Sequence, residues 1–487
     1  MRHRLSAGLT GPERASGRSM MKISVLLYGV ALSLPGAAMA QARLPTTGER
    51  PLEIDFSSDP VLALGERHAP LAQLRSAVLQ VLASNPLTAE ATARLEEAGA
   101  VIDEARDRIG PSATASVQSY RVIARKFDTG DTGNLVERTR PLQRTDALLQ
   151  IEQRVFDFGA SSARVRSAKA RAQAAGADAA RTRSTLALEF ISTWYEVTSY
   201  RTLIEVIDAF LASERDLREA VRRRIAAGAS AEIERTQMDA LFAAANARRA
   251  RAVRSLGIAE AQFRAQSGSP PAPGLQRPPT IDAATAAAGF LDGDARSSPQ
   301  VRGAEALAKA AQAEARAARA DRLPSITTGV DAGRYGVLEQ QPDYDIRARV
   351  TLRAPLFGGG LSARADQAEA RARGAQAVAD RVRRDAERDV RIAMGDVAAL
   401  EAQLTALEGS YRAARISRDA VAARFIGQRG TINDVAVAES DFVAAATAYI
   451  QGLGELDAAR YAVLAETGQL LAQLGIAESG REVGDGE

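Results

Sequence analysis

Two very long proline-free segments constrain the fold of this chain more than any other feature. No proline occurs between Pro141 and Pro270 or after Pro355, and both regions are rich in Ala, Arg, Glu and Leu. This composition favours helix. As single helices, the segments from Gly159 to Arg224 and from Gly360 to Arg424 would each span about 100 Å. The predicted fold class is therefore mainly α with some β, built around two helices too long for an ordinary globular core.

A heptad pattern of large apolar residues runs along both segments in matching register. It consists of Phe190, Val197, Ile204 and Leu211 in the first segment and of Val390, Val397, Leu404 and Tyr411 in the second. Such a pattern is typical of a coiled-coil seam. Trp194 and Tyr195 lie beside the seam, and we expect them to pack in the core. A glycine-containing break and a second helical stretch follow each segment, from Glu232 to Gln266 and from Asn433 to Leu474. Each half of the chain is thus predicted to form a long helical hairpin.

The elements that precede the long helices also occur twice. Ala105-Arg106 stands before Pro111-Ser112, and Ala318-Arg319 stands before Pro324-Ser325 at the same spacing. Self-similarity of this kind indicates structural repeats. We therefore divide the chain into an N-terminal extension with a signal peptide (1–40), an extended N-terminal segment (41–70), a first repeat (71–269), a Pro-rich linker (270–298), a second repeat (299–476) and a flexible C-terminal tail (477–487).

Each repeat contains two short segments in which apolar and polar residues alternate. The clearest segment runs from Tyr344 to Leu356, and a similar one covers 147–155; the weaker partners are 111–122 and 324–335. Segments of about ten residues with this alternation are typical of transmembrane β-strands. The charged residues of these segments are the candidates for a water-filled lumen: Glu152, Arg154, Asp345, Arg347, Arg349 and Arg353.

Four strands cannot form a barrel alone, since single-chain barrels start at about eight strands. Open sheet edges are not tolerated in the hydrocarbon region of a membrane. A membrane-spanning sheet would therefore have to be completed by several protomers. A water-soluble antiparallel sheet with one wet face is the alternative, and it explains each strand taken singly.

The N-terminal region and the composition limit the function. Residues Met21 to Ala40 read as a secretory signal that ends in a small-residue cleavage motif, and no transmembrane helix follows it. The chain has no cysteine, and its histidines are His3 and His68. We therefore expect no enzyme activity, no metal site and no cofactor. The chain has 63 Lys and Arg residues against 60 Asp and Glu residues, and they are scattered, so no nucleic-acid partner is expected.

The repeated pattern of two strands and a long hairpin resembles the TolC family of outer-membrane factors over residues 71–476. The strand-to-helix exit from Pro355 to Gly360 is similar to the Gly-rich corner of that family. Arg424-Phe425, followed by the run from Gly430 to Val435, resembles its helix-tip turn. Two departures exist: Gln428 stands where a glycine is usual, and the first copy of the turn reads Gly-Ala-Ser-Ala-Glu over 228–232.

The resemblance implies a homotrimer whose strands form one barrel in the outer membrane lipid of a Gram-negative cell. Its helices would continue the barrel across the periplasm to a closed aperture. A periplasmic adaptor (a membrane fusion protein) and an inner-membrane pump, either an ABC exporter or a proton-driven transporter, would open the aperture. The implied function is the exit duct of a tripartite export system, for type I protein secretion or small-molecule efflux. The alternative is a periplasmic adaptor or coiled-coil scaffold without a membrane barrel.

The candidate gate lies at the two turns between the long helices and their return helices. Glu234 and Asp434 occupy equivalent positions after these turns, and a ring of such carboxylates around a threefold axis would raise their pKa values by repulsion. Three basic residues would pair with these acids: Arg224, Arg424 and Arg429. The family resemblance also implies an aromatic residue at the constriction, Phe425. The candidates for the tips that dock the adaptor are Gly228, Ser230, Gly430 and Thr431.

Overall fold

The computed structural model describes residues 44–45, 51–126, 139–228, 231–292, 295–339, 343–356, 358–427 and 429–477. The predicted signal peptide over 1–40 and nearly all of the predicted C-terminal tail lie outside the described residues.

A helix, two strands, a long helix and a return helix follow one another in the same order in both halves of the chain. The first half contains α1 (Leu71–Ser84), α2 (Pro86–Asp107), β1 (Ser112–Arg121), β2 (Gln143–Phe156), α3 (Ala160–Ala226) and α4 (Glu232–Ser267). The short helix α5 (Ala284–Leu291) lies between the halves. The second half contains α6 (Pro299–Ala320), β3 (Ser325–Arg334), β4 (Tyr344–Arg353), α7 (Leu361–Ile426), α8 (Ile432–Glu466) and α9 (Leu470–Gln473).

The two long helices are present as the sequence predicts. Helix α3 has 67 residues and α7 has 66, which corresponds to a length of about 100 Å each. Each begins directly after a glycine in the left-handed region, Gly159 with φ +84° and Gly360 with φ +67°. No described helix combines the length and the apolar character needed to cross a membrane.

The second return helix is shorter than predicted. The sequence predicted one helix from Asn433 to Leu474, which is wrong, because α8 ends at Glu466 and α9 follows as a separate turn. The break lies at Gly468, whose φ is +75°. The backbone of Ser297 lies against this glycine, and a Cβ at Gly468 would collide with the Ser297 carbonyl oxygen. The Gly468 amide donates to the Ala465 carbonyl at 3.1 Å and the Gln469 amide to the Leu464 carbonyl at 2.8 Å, so α8 has the usual glycine-terminated helix end, and the contact with Ser297 leaves no room for a side chain at that glycine.

The four strands form one antiparallel sheet in the order β1-β2-β3-β4, so that β1 and β4 are its edges. Most apolar residues of the four strands lie on one face, with Leu148 as an exception on the other. The cross-strand row Leu149, Ala332 and Ile346 is an example. A bulge after Arg154 places Phe156 opposite Ile326, which belongs to the apolar face.

The main core lies where the long helices meet α1, the return helices and α5. Its largest fully buried side chains include Phe190, Trp194 and Tyr461. Trp194 is 1 % exposed and Tyr195 is 3 % exposed, so the prediction that both pack in the core is confirmed. Both also bind the Pro-rich segment: Trp194 Nε1 donates to the Gln276 carbonyl at 2.8 Å and Tyr195 Oη to the Pro278 carbonyl at 3.3 Å.

Candidate gate at the helix tips

The turn between α7 and α8 is closed by a capping box. The Thr431 hydroxyl accepts a hydrogen bond from the Asp434 amide at 3.2 Å, and the Asp434 carboxylate accepts one from the Thr431 amide at 3.1 Å. These bonds occupy amide groups that would otherwise lack partners at the start of a helix. The Arg429 amide donates to the Arg424 carbonyl at 2.9 Å and tightens the end of α7. Asp434 therefore has a structural role in addition to any role in a gate.

The turn between α3 and α4 is built differently. Gly228 has φ +71°, a conformation that favours glycine, and its amide donates to the Ile225 carbonyl at 2.9 Å. The N-cap of α4 is Ala231, whose side chain cannot cap the helix. Glu234 is the third residue of α4, as Asp434 is the third residue of α8. The predicted equivalence of the two acids is thus correct in position, but only Asp434 completes a capping box. Ser230 lies outside the described residues.

An apolar cluster joins the two turns. Val221, Met238, Ile432 and Ala436 are buried together, and they come from α3, α4 and α8. Phe425 of α7 is half-buried against this cluster. Four helices therefore contribute to one small core directly above the tips, so that the two hairpins are packed together within the protomer.

The basic candidates have different partners from one another. The Arg224 guanidinium lies 4.9 Å from the centre of the Phe425 ring, in cation–π geometry, rather than beside an acid. Arg424 is exposed and lies close enough to Asp434 to act on its charge. Arg429 is exposed as well. Within the protomer, Arg224 thus joins the two hairpins through the Phe425 ring, and Arg424 acts on the charge of Asp434.

The electrostatics of Asp434 differ from the sequence-based expectation. Its pKa is lowered, first by the hydrogen bond from the Thr431 amide, then by the Thr431 hydroxyl, with a smaller contribution from the Arg424 charge. The prediction of a raised pKa concerned repulsion within a ring of protomers. Inside one protomer the local bonds act in the opposite direction and keep this carboxylate ionised.

A group of buried charges lies on the helices just above the tips, and the sequence analysis missed it. Glu214 of α3 is 1 % exposed, Arg418 of α7 is 3 % exposed and Glu439 of α8 is 6 % exposed. A sequence signal for the group exists. If the two heptad series are continued by one step beyond Leu211 and Tyr411, they reach Arg218 and Arg418. Charged residues at seam positions indicate a polar contact in the core.

The extended N-terminal segment is anchored on α7 through a buried acid. Asp59 is 1 % exposed and accepts hydrogen bonds from Tyr411 Oη at 2.9 Å and from the Arg415 guanidinium. It also accepts bonds from the amides of Val61 and Leu62, at 2.8 and 3.1 Å. This anchor carries no periodic pattern in the sequence, and the sequence analysis did not predict it.

All six lumen candidates lie on the polar face of the sheet. Glu152 on β2 and Arg349 on β4 are the cross-strand neighbours of Gly329 on β3, one on each side of it. The Arg349 guanidinium is 3.0 Å from the Asp331 carboxylate. The others on this face are Arg154, Asp345, Arg347 and Arg353. On the opposite face, Tyr344, Val350 and Leu352 are 76, 76 and 67 % exposed.

Among the described residues, no cluster of three or more acidic or histidine side chains could hold a metal ion.

This architecture is shared with solved outer-membrane channels. The outer-membrane channel OprN matches with a TM-score of 0.70 and 21 % identity over 84 % of this chain and 92 % of its own. The outer membrane protein VceC of Vibrio cholerae matches with a TM-score of 0.70 and 20 % identity, over 86 and 98 %. The open state of the MtrE outer membrane channel of Neisseria gonorrhoeae matches with a TM-score of 0.68 and 18 % identity, over 82 and 89 %. At these identities the matches establish the fold.

The family follows from the sequence. The profile of the outer membrane efflux protein family matches residues 77–269 and 295–469, which is more than half of the chain. The chain therefore belongs to the outer membrane efflux protein family, and the predicted relationship to TolC-like outer-membrane factors is confirmed. No curated protein matches the chain at a significant level.

Proposed function

We propose that this protein is the outer-membrane exit duct of a tripartite export system and that it works as a homotrimer. The observation that carries the proposal is the four-stranded sheet. One face exposes large apolar side chains, the other carries charges, and each edge strand has a neighbour on one side only. Lipid on the apolar face and water on the charged face would satisfy both faces. Strands from neighbouring protomers would satisfy the edges.

The helices support the same proposal. Helices of about 100 Å are much longer than the sheet that they follow, which suits a conduit that continues across the periplasm. The tips at the far ends of α3 and α7 then provide a closable aperture. The gate would comprise Glu234, Asp434, Arg224, Arg424, Arg429 and Phe425. The tip turns at Gly228, Ser230, Gly430 and Thr431 would receive a periplasmic adaptor, which links the duct to an inner-membrane pump.

The lumen would be lined by the six charged strand residues. Four of them are arginines and two are acids, so the strand part of the lumen offers fixed charges of both signs to a polar or charged cargo. A duct of this kind performs no chemistry on its cargo and therefore needs no catalytic group. Protein secretion and small-molecule efflux both suit such a lumen, and the choice between them would be made by the pump.

The test is a combination of extraction and conductance. We expect the purified protein to need detergent, to have the mass of a trimer by light scattering, and to form ion-conducting pores in planar bilayers. A protein that is released from membranes by alkaline carbonate without detergent, and that gives no pores, would instead be a periplasmic adaptor or scaffold. A control with β4 shortened from Tyr344–Arg353 to half its length should lose pore formation.

A further inference from the structure

The contact between α3 and α8 above the tips contains more acid than base. Neither carboxyl oxygen of the buried Glu214 accepts a hydrogen bond from the described residues. Glu439 faces it from α8 and accepts one hydrogen bond, from Ser213 Oγ at 3.1 Å. Two buried carboxyl groups thus lie on these packed helices, and the only hydrogen bond found for them among the described residues is the one from the Ser213 hydroxyl to Glu439.

Two bases near the contact act on the pair through their charges, and both also bind other groups. Arg418 Nε donates to the Asp419 carboxylate at 2.7 Å and Arg418 Nη1 to the Pro45 carbonyl at 2.9 Å, and its guanidinium lies 4.3 Å from the centre of the Phe442 ring. Arg218 of α3 pairs with Asp239 of α4. Four acids therefore lie around the contact: Glu214, Glu439, Asp419 and Asp239. The bases around it are the buried Arg418, the half-buried Arg218 and the exposed Arg215.

A buried excess of negative charge is expensive unless a proton neutralises it. Burial raises the pKa of Glu214 to about 7, and the charge of Glu439 adds to this effect while Arg218 opposes it. Burial also raises the pKa of Glu439, against the lowering effects of Arg418 and of the Ser213 hydrogen bond. A protonated carboxyl would also supply the hydrogen-bond donor that the contact lacks.

We propose that Glu214 and Glu439 form a proton-binding pair that fastens α3 to α8 and makes the closure of the helix tips depend on pH. The pair takes up one proton from solvent when the contact closes and releases it when the contact loosens; no covalent bond other than the O–H bond forms or breaks. The proton binding stands on the geometry of the buried contact. Its effect on a gate rests on the function proposed above.

The direction of the effect follows from linkage. A glutamate in water has a pKa of about 4.5, and the closed contact raises that of Glu214 to about 7. The closed state therefore binds more protons than the loosened state between these two values, so closure weakens as pH rises through that window. The closed-to-loosened ratio should fall by up to ~50-fold between pH 5 and 7.5.

Infrared spectroscopy and hydrogen exchange test the pair directly on the full-length protein in detergent. A component of the carboxylic-acid carbonyl band should disappear as pH rises through about 7, and this component should be missing in Glu214→Gln, in which the other carboxyl groups still give a band at lower pH. Hydrogen exchange in peptides covering 206–221 and 432–445, divided by the intrinsic rates, should accelerate with pH in the wild type and stay flat in Glu214→Gln. Asp216→Asn removes an exposed acid from the same helix and should behave as the wild type.

Two outcomes would overturn the proposal: no such component in the wild type, or a pH-dependent exchange that Glu214→Gln leaves unchanged. Glu439→Gln provides a second variant in case Glu214→Gln does not fold: loss of the Glu439 charge should shift the pH dependence to lower pH, because that charge adds to the raised pKa of Glu214. Conductance is measured separately on the same preparations. Pores without a titrating pair would refute the pair alone, whereas a titrating pair without pores would refute the duct and leave the proton site standing.

Discussion

Removal of the Asp59 carboxylate should detach the N-terminal segment from the helices. The carboxylate is fully buried, and it binds Tyr411, Arg415 and the amides of Val61 and Leu62. In Asp59→Ala the Arg415 guanidinium, whose side chain is 12 % exposed, would keep its charge without this partner. The change thus removes a buried ion pair and leaves one charge behind.

The expected size of the effect comes from the burial of this pair. Removing one partner of a buried ion pair costs about 3–5 kcal/mol, because the other charge stays desolvated. The lost cap at the start of the short 3₁₀ helix Leu62–Gly65 costs roughly 1 kcal/mol, and the two terms are not additive because they share one carboxylate. A loss of about 4 kcal/mol would raise the undocked fraction of the segment roughly a thousandfold.

Hydrogen exchange measures this undocking at two suitable amides. The amides of Ala63 and Leu64 donate to the backbone carbonyls of Asp59 and Val61, not to the Asp59 side chain. Their exchange therefore reports the docking of the segment. The matched control is Asp55→Ala, since Asp55 is an exposed acid of the same segment whose carboxylate accepts a hydrogen bond from the neighbouring Ser57 amide and interacts with Arg415 only weakly, through its charge.

We expect a large difference in amide exchange between the two variants. Asp59→Ala should exchange these amides about a thousandfold faster, and Asp55→Ala should stay within about threefold of the wild type. An acceleration below tenfold in Asp59→Ala would refute the view that the carboxylate anchors the segment. Adding Arg415→Met to Asp59→Ala should recover part of the loss, because the uncompensated charge is then removed.

Three further predictions concern the tips and the helix break. Thr431→Ala removes the capping hydroxyl and should destabilise the start of α8 by about 1 kcal/mol, measured as faster exchange in 431–436, whereas Thr431→Ser should retain the cap. Asp434→Ala combined with Arg429→Ala should weaken block by cations and raise single-channel conductance in planar bilayers; unchanged conductance would remove both residues from the gate. Gly468→Ala should lower the yield of folded protein and its melting temperature strongly, because of the collision with Ser297 and the positive φ; a melting temperature within a degree of the wild type would contradict this account of the break.

The parts of the fold that the sequence could predict are those with a periodic pattern. The absence of proline and the Ala-rich composition determined α3 and α7 to within two residues at all four ends. The alternation around Tyr344–Arg353 located β4 and placed its charges on one face. Such patterns can be recognised in the sequence because the residues of a long helix or strand repeat with one fixed period.

The parts that escaped prediction depend on contacts between distant segments. Asp59 meets Tyr411, and the carbonyls of the Pro-rich segment accept hydrogen bonds from Trp194 and Tyr195. A carbonyl is present at every residue, so the sequence does not reveal which one will serve as an acceptor. The break at Gly468 differs, because the glycine itself is a local signal for a helix end; only the contact with Ser297 depends on a distant segment.

The heptad seam shows how a local pattern and a tertiary role connect. It is apolar as far as Leu211 and Tyr411, and the next seam positions are Arg218 and Arg418. Apolar seam residues hold helices together at any pH, because their packing involves no titration. The buried acids Glu214 and Glu439 lie in the charged part of the helices, and in the proposal made above the strength of their contact changes with protonation. In that proposal the pH-dependent contact lies next to the tips, which is where a duct that opens and closes requires movement.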